Sequence, residues 1–184
     1  KNEFNIDLHK AKYFAGHSLG EYSALSCANS LSFAETIQLL KKRGNAMQNA
    51  VPKGEGSMIA VLGSTVENIE EILNKKKSEF VIEIANDNSN GQIVLSGKNK
   101  DLERFSDFLK EKNIKNVKLA VSAPFHCKLM SKATEIMKIE IENTNFKNFK
   151  NILISNVTAN EVLNKNDLKK LLIDQIENRV RWRE

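Results

Sequence analysis

Hydrophobic residues recur every three or four positions in the first third of this chain, which is the spacing of one face of a helix. Ser32 precedes the run and Glu35 follows three positions later, which is the arrangement of a capping box. We therefore predict a helix that begins after Ser32 and has a single apolar face. The positions on that face are Phe33, Ile37, Leu40, Gly44 and Met47.

The middle of the chain changes to short apolar runs separated by amphipathic stretches, which favours strands alternating with helices. Residues 52–56, P-K-G-E-G, end the preceding helix and mark a boundary. The elements after it follow in the order β-α-β-β-α-β, which is typical of a ferredoxin-like unit. The predicted strands are Met58–Leu62, Val81–Ala85, Ile93–Leu95 and Val117–Val121, and the predicted helices run from Ser64 to Lys77 and from Asp101 to Lys112. We expect a polar, turn-rich stretch between the second and third strands.

The two outer segments predict helices with a few strands. Apolar residues Tyr13–Ala15 predict a short strand, and the small residues of Glu21–Ala28 predict a helix that packs closely on a sheet. After Pro124 we predict a long helix, a strand at Ile152–Ser155 and a last helix over Asp167–Glu177.

Composition and charge exclude several classes of protein. The chain has 184 residues, of which 41% are hydrophobic and 28% charged, and this is typical of a soluble globular domain with a core. No run approaches the about 18 apolar residues that a membrane span needs, and no signal-peptide pattern begins the chain. The net charge of +5 indicates a generic solvated surface. We predict a cytoplasmic protein that binds neither membrane nor nucleic acid.

The cysteines indicate neither a disulfide framework nor a metal site. Cys27 and Cys127 are the two cysteines of the chain, and they fit reduced thiols better than a bridge. Neither takes part in a C-x-x-C pair or a His/Cys spacing of the kind that binds zinc. We predict no metal ligand.

The segment Gly16–Glu21, G-H-S-L-G-E, places a serine between two glycines after a short apolar entry. This is the G-x-S-x-G pattern of a nucleophile elbow, a tight turn from strand into helix with the hydroxyl at its apex. We interpret both glycines as positions where the cramped turn tolerates no side chain. The pattern predicts Ser18 as the nucleophile, and the helix that follows points the Leu19 N–H at a developing oxyanion.

A serine hydroxyl needs a base, and the chain has three histidines. We interpret His9, in a charged stretch, as a surface residue, and we expect the His17 side chain to point away from Ser18. His126 follows a predicted strand end beside Pro124, where a loop can carry it over the elbow. By elimination we predict His126 as the base.

The residues leave a third catalytic member open. Proteins of the α/β-hydrolase class place an acid between the serine and the histidine in chain order. Asp87, Asp101 and Asp107 occupy that interval, and we interpret them as turn or helix-surface residues. A serine–histidine pair without an acid is the alternative.

Arg43 also has two interpretations. It follows Lys41 and Lys42, so it is either part of an exposed basic run or a binding residue near the edge of the apolar helix face. A guanidinium in the second position needs a planar anionic partner, and the carboxylate of a dicarboxylic acyl group is one.

Five segments together resemble one known family. The first is G-H-S-L-G-E-Y-S-A-L, and the family motifs continue in the same order along nearly the whole chain. They are R-G-N-A-M-Q at 43–48, N-S-N-G-Q with V-L-S-G at 88–97, V-S-A-P-F-H-C-K-L-M at 121–130, and N-V-T at 156–158 with 175–182. This set resembles the malonyl-CoA:acyl-carrier-protein transacylases and the acyltransferase domains of fatty-acid and polyketide synthases. Asn90 and Arg179 stand where the family has prolines.

The resemblance implies a fold. It is an α/β fold with a hydrolase-like parallel-sheet core over residues 1–54 and 123–184 and an inserted ferredoxin-like subdomain over residues 55–122. The family's members extend further at both ends, so we expect this chain to be an internal piece that lacks a loop with the second oxyanion donor.

The resemblance also implies roles for single residues. It implies a dyad of Ser18 and His126, in which a backbone carbonyl from beyond this chain orients the histidine. It implies that Arg43 binds the malonyl carboxylate and that Leu19 and Phe125 favour malonyl over methylmalonyl. Its motifs add two substrate contacts, Met47 and Asn88.

The activity implied is transfer of a malonyl group from its coenzyme A thioester to the phosphopantetheine thiol of acyl carrier protein, through a seryl ester. No cofactor is implied, the partners are the carrier protein and the thioester, and a stand-alone enzyme would be a monomer. The alternatives are a polyketide-synthase acyltransferase domain, a serine hydrolase of α/β type, and a non-catalytic piece that docks carrier protein.

Overall fold

The computed structural model describes residues 6–162 and 164–184, and it is a mixed α/β structure. The helices are α1 (Leu19–Cys27), α2 (Phe33–Asn49), α3 (Val66–Lys75), α4 (Asn99–Glu111), α5 (Ser131–Asn143) and α6 (Lys165–Asp174). The strands are β1 (Tyr13–Phe14), β2 (Gly56–Leu62), β3 (Ile82–Ser89), β4 (Gln92–Lys98), β5 (Lys115–Lys118), β6 (Ile152–Leu153) and β7 (Val180–Arg181). Short 3-10 turns lie at Leu8–Lys10 and Lys128–Met130.

The capping box at the start of α2 is confirmed, but the predicted face of this helix is wrong. The Ser32 hydroxyl accepts from the Glu35 N–H, and the Glu35 carboxylate accepts from the Ser32 N–H. Phe33 and Ile37 are 74% and 49% exposed. The buried face lies one residue earlier, a rotation of about 100°, and it comprises Thr36, Leu39, Arg43, Ala46 and Met47. Two stripes of this helix have the same spacing, and contact with α1 and α5 selects the smaller, partly polar one.

A five-stranded sheet with the order β5-β2-β4-β3-β7 forms the second half of the molecule. The predicted order β-α-β-β-α-β is observed in β2-α3-β3-β4-α4-β5. The pairs β2–β4, β2–β5 and β3–β4 are antiparallel. Apolar residues of β2, β4, α3 and α4 form one core cluster, which includes Val61, Ile69, Leu95, Leu102 and Phe105.

Two strands of this sheet differ from prediction. β5 ends at Lys118, three residues before the predicted end. β3 continues through residues 86–89, which we predicted as a turn-rich stretch, because Asn86 and Asp87 pair with Val94 and Ile93 of β4. The turn is confined to residues 90–91, and the polar Asp87 and Asn88 of this strand contact Arg183 and His17.

The other half of the molecule packs helices around a parallel pair of strands. Tyr13 and Phe14 of β1 pair with Ile152 and Leu153 of β6. A core cluster from α1, α2, α5 and α6 surrounds this pair, with Tyr22, Leu25, Met137 and Leu172 fully buried. Within residues 6–162 and 164–184, no helix has the length and apolar character to cross a membrane.

The chain crosses between the two halves at two adjacent places. Gly56 begins β2, and Pro124 lies where the chain returns after β5. A Cβ on Gly56 would collide with the Pro124 ring. Glycine is therefore required at residue 56 so that the outgoing and returning segments can touch. A third connection is formed by β7, which pairs parallel to β3 through Asn86↔Val180 and Asp87↔Arg181.

Candidate active site

Ser18 lies at the tight turn between β1 and α1, as the G-x-S-x-G pattern predicts. Its backbone has φ 52° and ψ −106°, a conformation that non-glycine residues rarely adopt and that places the hydroxyl at the apex. A Cβ on Gly16 would collide with the Gly20 carbonyl, so Gly16 allows the close approach of the strand and the helix. The interpretation of Gly20 is wrong, because a Cβ there would contact nothing within 4 Å.

His126 contacts Ser18 directly. Its Nε2 lies 2.8 Å from the Ser18 Oγ, and its Nδ1 lies 2.8 Å from the Gln175 carbonyl oxygen. A carbonyl oxygen only accepts, so Nδ1 carries the ring hydrogen and Nε2 accepts the serine proton. The expectation that the orienting carbonyl comes from beyond this chain is wrong, because Gln175 supplies it from the end of α6.

The environment of His126 keeps its ring neutral. Burial, together with the nearby Arg43 charge, lowers the pKa of His126 to about 4. The imidazole is therefore uncharged at neutral pH, which is the form that can accept a proton from a hydroxyl.

No carboxylate is a partner of His126 in the described residues. Asp101 accepts from the Val81 N–H, and Asp107 pairs with Lys110. The interpretation of Asp87 as a turn or surface residue is wrong. It is buried in β3 and accepts two hydrogen bonds of 3.0 Å from Arg183, which holds the C-terminal segment against the sheet.

Arg43 is buried beside the serine, which contradicts its interpretation as part of an exposed basic run. Its side chain is on the buried face of α2, and its Nη2 donates to the Ser18 Oγ at 3.0 Å and to the Gln175 Oε1 at 2.9 Å. The guanidinium also lies 5.7 Å from the centre of the Tyr22 ring. Burial lowers the pKa of Arg43, and its Nε has no hydrogen-bond partner among the described residues.

Three further polar residues hold the elbow, and none of them is among the predicted site residues. The Asn156 side chain accepts from the Ser18 N–H at 2.6 Å and donates to the Gly16 carbonyl at 2.9 Å. The Gln175 Nε2 donates to the Ser18 carbonyl at 3.0 Å and to the Glu21 carboxylate at 2.7 Å. Glu21 also accepts from the Asn156 N–H. A polar residue at a position where the helical spacing places an apolar one could have indicated such a role. Gln175 is an example, because it follows Leu168 and Leu172 on the buried face of α6.

A cleft of about 430 Å³ opens beside Ser18 between the two halves of the molecule. Leu19, Met47 and Phe125 line it, and so do two apolar residues of the five-stranded half, Met58 in β2 and Leu119 directly after β5. These side chains make a largely apolar wall, while Ser18, Arg43 and His126 supply the polar groups. The arrangement can bind a short acyl chain whose far end carries an anion.

Asn88 does not line this cleft. Its Oδ1 lies 2.9 Å from the His17 Nε2, and Asn86, two residues earlier in β3, lines the cleft instead. His17 contacts Asn88 and packs its ring edge-on against Trp182, so it is held away from the serine hydroxyl as expected. The His9 side chain lies outside the described residues.

The fold and the site define a mixed α/β protein in which a serine on a tight turn contacts a neutral histidine. The family model of the acyl transferase domain matches residues 9–184. The chain therefore belongs to the acyl transferase domain family.

Curated relatives share this similarity over nearly the whole chain. The chain is 42% identical over 174 residues to the malonyl CoA-acyl carrier protein transacylase of Bacillus subtilis, covering 94% of this chain and 55% of that protein. It is 36% identical over 169 residues to the transacylase of the same name from Escherichia coli, covering 91% and 55%. The chain thus spans about half the length of these relatives.

Solved structures agree with the fold. The chain matches the acyl-carrier-protein-S-malonyltransferase of Bartonella henselae with a TM-score of 0.93 and 42% identity, over 98% of this chain and 58% of that one. It matches a malonyl-transacylase solved in complex with a type II PKS acyl-carrier protein with a TM-score of 0.91 and 34% identity, over 98% of this chain and 58% of that one.

Proposed function

We propose that this protein transfers malonyl groups from malonyl-CoA to the phosphopantetheine thiol of acyl carrier protein, through an ester on Ser18. The observation that carries the proposal is the Arg43 guanidinium, buried beside the serine hydroxyl with no carboxylate partner among the described residues. A buried cation that forms no direct ion pair is costly. A malonyl group supplies the missing carboxylate, and its carbonyl carbon then lies near the nucleophile.

The first half of the reaction forms the acyl-enzyme. The Ser18 Oγ attacks the thioester carbonyl while His126 Nε2 takes the hydroxyl proton. The Leu19 N–H at the start of α1 stabilises the oxyanion that forms. The intermediate then collapses, the carbon–sulfur bond breaks, and His126 returns the proton to the departing coenzyme A thiolate.

The second half reverses these steps with a different thiol. The phosphopantetheine thiol loses its proton to His126 and attacks the seryl ester, and the carbon–oxygen bond to Ser18 breaks. His126 then protonates the serine oxygen. Met47 and Phe125 pack along the acyl group in both halves, and the rigid wall at Phe125 disfavours a branched malonyl group. The chemistry uses side chains and backbone only, so we propose that no cofactor takes part.

We also propose the finer architecture. Residues 1–54 and 123–184 form a hydrolase-like core, and residues 55–122 form an inserted ferredoxin-like subdomain. The strand order β5-β2-β4-β3 and the parallel pair β1–β6 support this division. The partners proposed are carrier protein and the coenzyme A thioester, which agrees with the carrier-protein complex of one structural relative. The cytoplasmic location and the monomeric state stay predictions.

Incubation with radiolabelled malonyl-CoA tests the function. The protein is expressed from its complete reading frame, and protein-bound label, free malonate and label on carrier protein are measured. A transferase accumulates acyl-enzyme and passes the label to carrier protein. A serine hydrolase releases malonate instead, and a non-catalytic docking piece gives no labelled product. Either of the last two results contradicts the proposal.

A polyketide-synthase acyltransferase domain is the nearest alternative, and no observation on this chain favours it. It shares the chemistry and differs in the carrier protein that receives the acyl group. Supplying carrier proteins from the two pathways in competition, with kcat/KM measured for each, separates these functions.

A further inference from the structure

We propose that Glu21 is a positioning residue for malonyl selectivity, because it fixes the orientation of the Gln175 side-chain amide and thereby holds Arg43 at the nucleophile. The inference rests on the proposed function and deepens it. The Glu21 side chain bonds neither the serine hydroxyl nor Arg43, and Gln175 is the residue that bonds both Glu21 and Arg43.

The donors and acceptors around Gln175 permit one orientation of its amide. On one side lie the Glu21 carboxylate at 2.7 Å and the Ser18 carbonyl at 3.0 Å. A carbonyl oxygen and an ionised carboxylate can only accept hydrogen bonds. On the other side lies the Arg43 Nη2 at 2.9 Å, which only donates. The Gln175 nitrogen must therefore face Glu21, and its oxygen must face Arg43.

An acceptor at position 21 holds the Gln175 amide in place. The Gln175 Nε2 and the Asn156 N–H both donate to the Glu21 Oε2, so a glutamine whose Oε1 takes that place keeps both hydrogen bonds. A leucine at position 21 offers no acceptor, and the Gln175 NH₂ is then left with the Ser18 carbonyl alone. The amide is free to turn away, and Arg43 loses one of its two hydrogen bonds at Nη2 and with it the position beside Ser18 Oγ.

The surroundings of Glu21 fit a specific function rather than a surface charge. The residue is 2% exposed and also accepts from the Asn156 N–H, and Asn156 itself holds the Ser18 backbone. Its charge lies one amide away from that of Arg43, so the cation and the anion are linked without an ion pair. Arg43 therefore keeps its guanidinium available for the carboxylate of an acyl group.

The test is a double-mutant cycle on selectivity. Glu21→Leu, Gln175→Met and the double variant are compared with the unchanged protein, and kcat/KM for acylation of Ser18 is measured with malonyl-CoA and with acetyl-CoA. We expect Glu21→Leu to lower the malonyl-to-acetyl ratio about tenfold, which is the usual effect of losing one hydrogen bond to a charged group. Glu21→Gln keeps an acceptor at this position and should restore most of the ratio. Gln175→Met should lower it at least as much, and the double variant no further than Gln175→Met alone.

The controls separate positioning from general stability. Glu135→Gln, an exposed substitution on α5, should leave the ratio unchanged. Equal losses with both thioesters in Glu21→Leu, or additive effects in the double variant, would overturn the proposal. If Glu21→Leu does not fold, Gln175→Met decides alone, and an unchanged ratio in that variant overturns the proposal. Absence of any acylation in the unchanged protein contradicts the proposed function instead.

Discussion

The five-stranded sheet and the cleft beside it are stabilised by different kinds of contact. The core of the sheet comes from one stretch of chain, β2 to β5, and consists of apolar side chains such as Ile69, Leu95 and Phe105. The site is assembled from polar groups far apart in sequence: Ser18 and His126 are 108 residues apart, and Gln175 and Ser18 are 157 apart. Burial of apolar area stabilises the sheet, and each buried side chain adds its own contribution to the free energy of unfolding. The buried hydrogen bonds of the site form a network, so they hold only when each partner is present.

The largest effect should come from the two reacting side chains. Ser18→Ala should abolish acyl-enzyme formation, and His126→Ala should slow it by about 10³-fold or more, since nucleophile and base act as a unit. Neither change removes apolar burial from the sheet, so both variants should fold. Mass spectrometry of the acylated protein measures the effect, with the exposed Ser23→Ala as the control. Near-normal transfer by either variant would exclude the dyad.

A substitution in the core of the five-stranded sheet should lower stability and leave acylation nearly unchanged. Phe105 is fully buried and packs edge-on against Phe80. Phe105→Ala should lower the free energy of unfolding by about 3–5 kcal/mol, while acylation per folded molecule stays close to normal. Urea unfolding followed by circular dichroism gives the first quantity. Phe108→Ala, at a half-buried position on the same helix, should cost clearly less. A proportionate fall in acylation per folded molecule would mean that the two regions are not separable.

Arg43 should affect the choice of substrate more than stability. Arg43→Ala should reduce acylation by malonyl-CoA about 10²-fold and raise relative activity with acetyl-CoA, because a neutral acyl group no longer leaves a buried cation unpaired. The two kcat/KM values measure this. Lys42→Ala is the matched control, because it removes an exposed cation from the same helix as Arg43, one that pairs with Glu140 of α5. An unchanged ratio would show that Arg43 does not contact the acyl carboxylate.

The smallest effect should appear in the dependence of stability on pH. Burial raises the pKa of Glu21 to about 7. A folded-state pKa above the unfolded value means that stability is present at low pH and is lost as pH rises. The loss from Glu21 should therefore fall between about pH 4.5 and 7 and level off above that range.

His126 should act in the opposite direction. Its folded pKa of about 4 lies below the usual 6.5, so its contribution is lost as pH falls between those values. Unfolding curves from pH 4 to 8 for the unchanged protein and Glu21→Gln isolate the Glu21 contribution. A difference between the two proteins that does not change with pH would contradict the raised pKa.

The same contrast explains what could be predicted from the sequence. The order of elements in the sheet follows from local patterns, because each strand and helix buries its own apolar side. The pair of Ser18 and His126 follows from a motif and from the small number of histidines. The face of α2 could not be predicted from spacing, since positions 33, 37 and 40 and positions 36, 39 and 43 both recur every three or four residues. The choice between them depends on contacts with distant helices.

The polar residues of the site were harder to predict for the same reason. Asp87 and Gln175 have polar side chains in buried positions, and no local pattern distinguishes them from surface residues. Their partners, Arg183 and Glu21, lie about 100 residues or more away along the chain. Only the folded structure brings the two members of each pair together.

The connections between the two halves have a mechanical consequence. Gly56, at the crossing where the chain touches Pro124, pairs with Lys98 at one end of β4, whereas Asp87, which binds Arg183, pairs with Ile93 near the other end. Two separate connections restrict hinge motion between the halves more than a single connection does. We therefore expect the cleft to keep a nearly fixed width, so that a ligand fits an opening that is already formed and is not enclosed by closure around it.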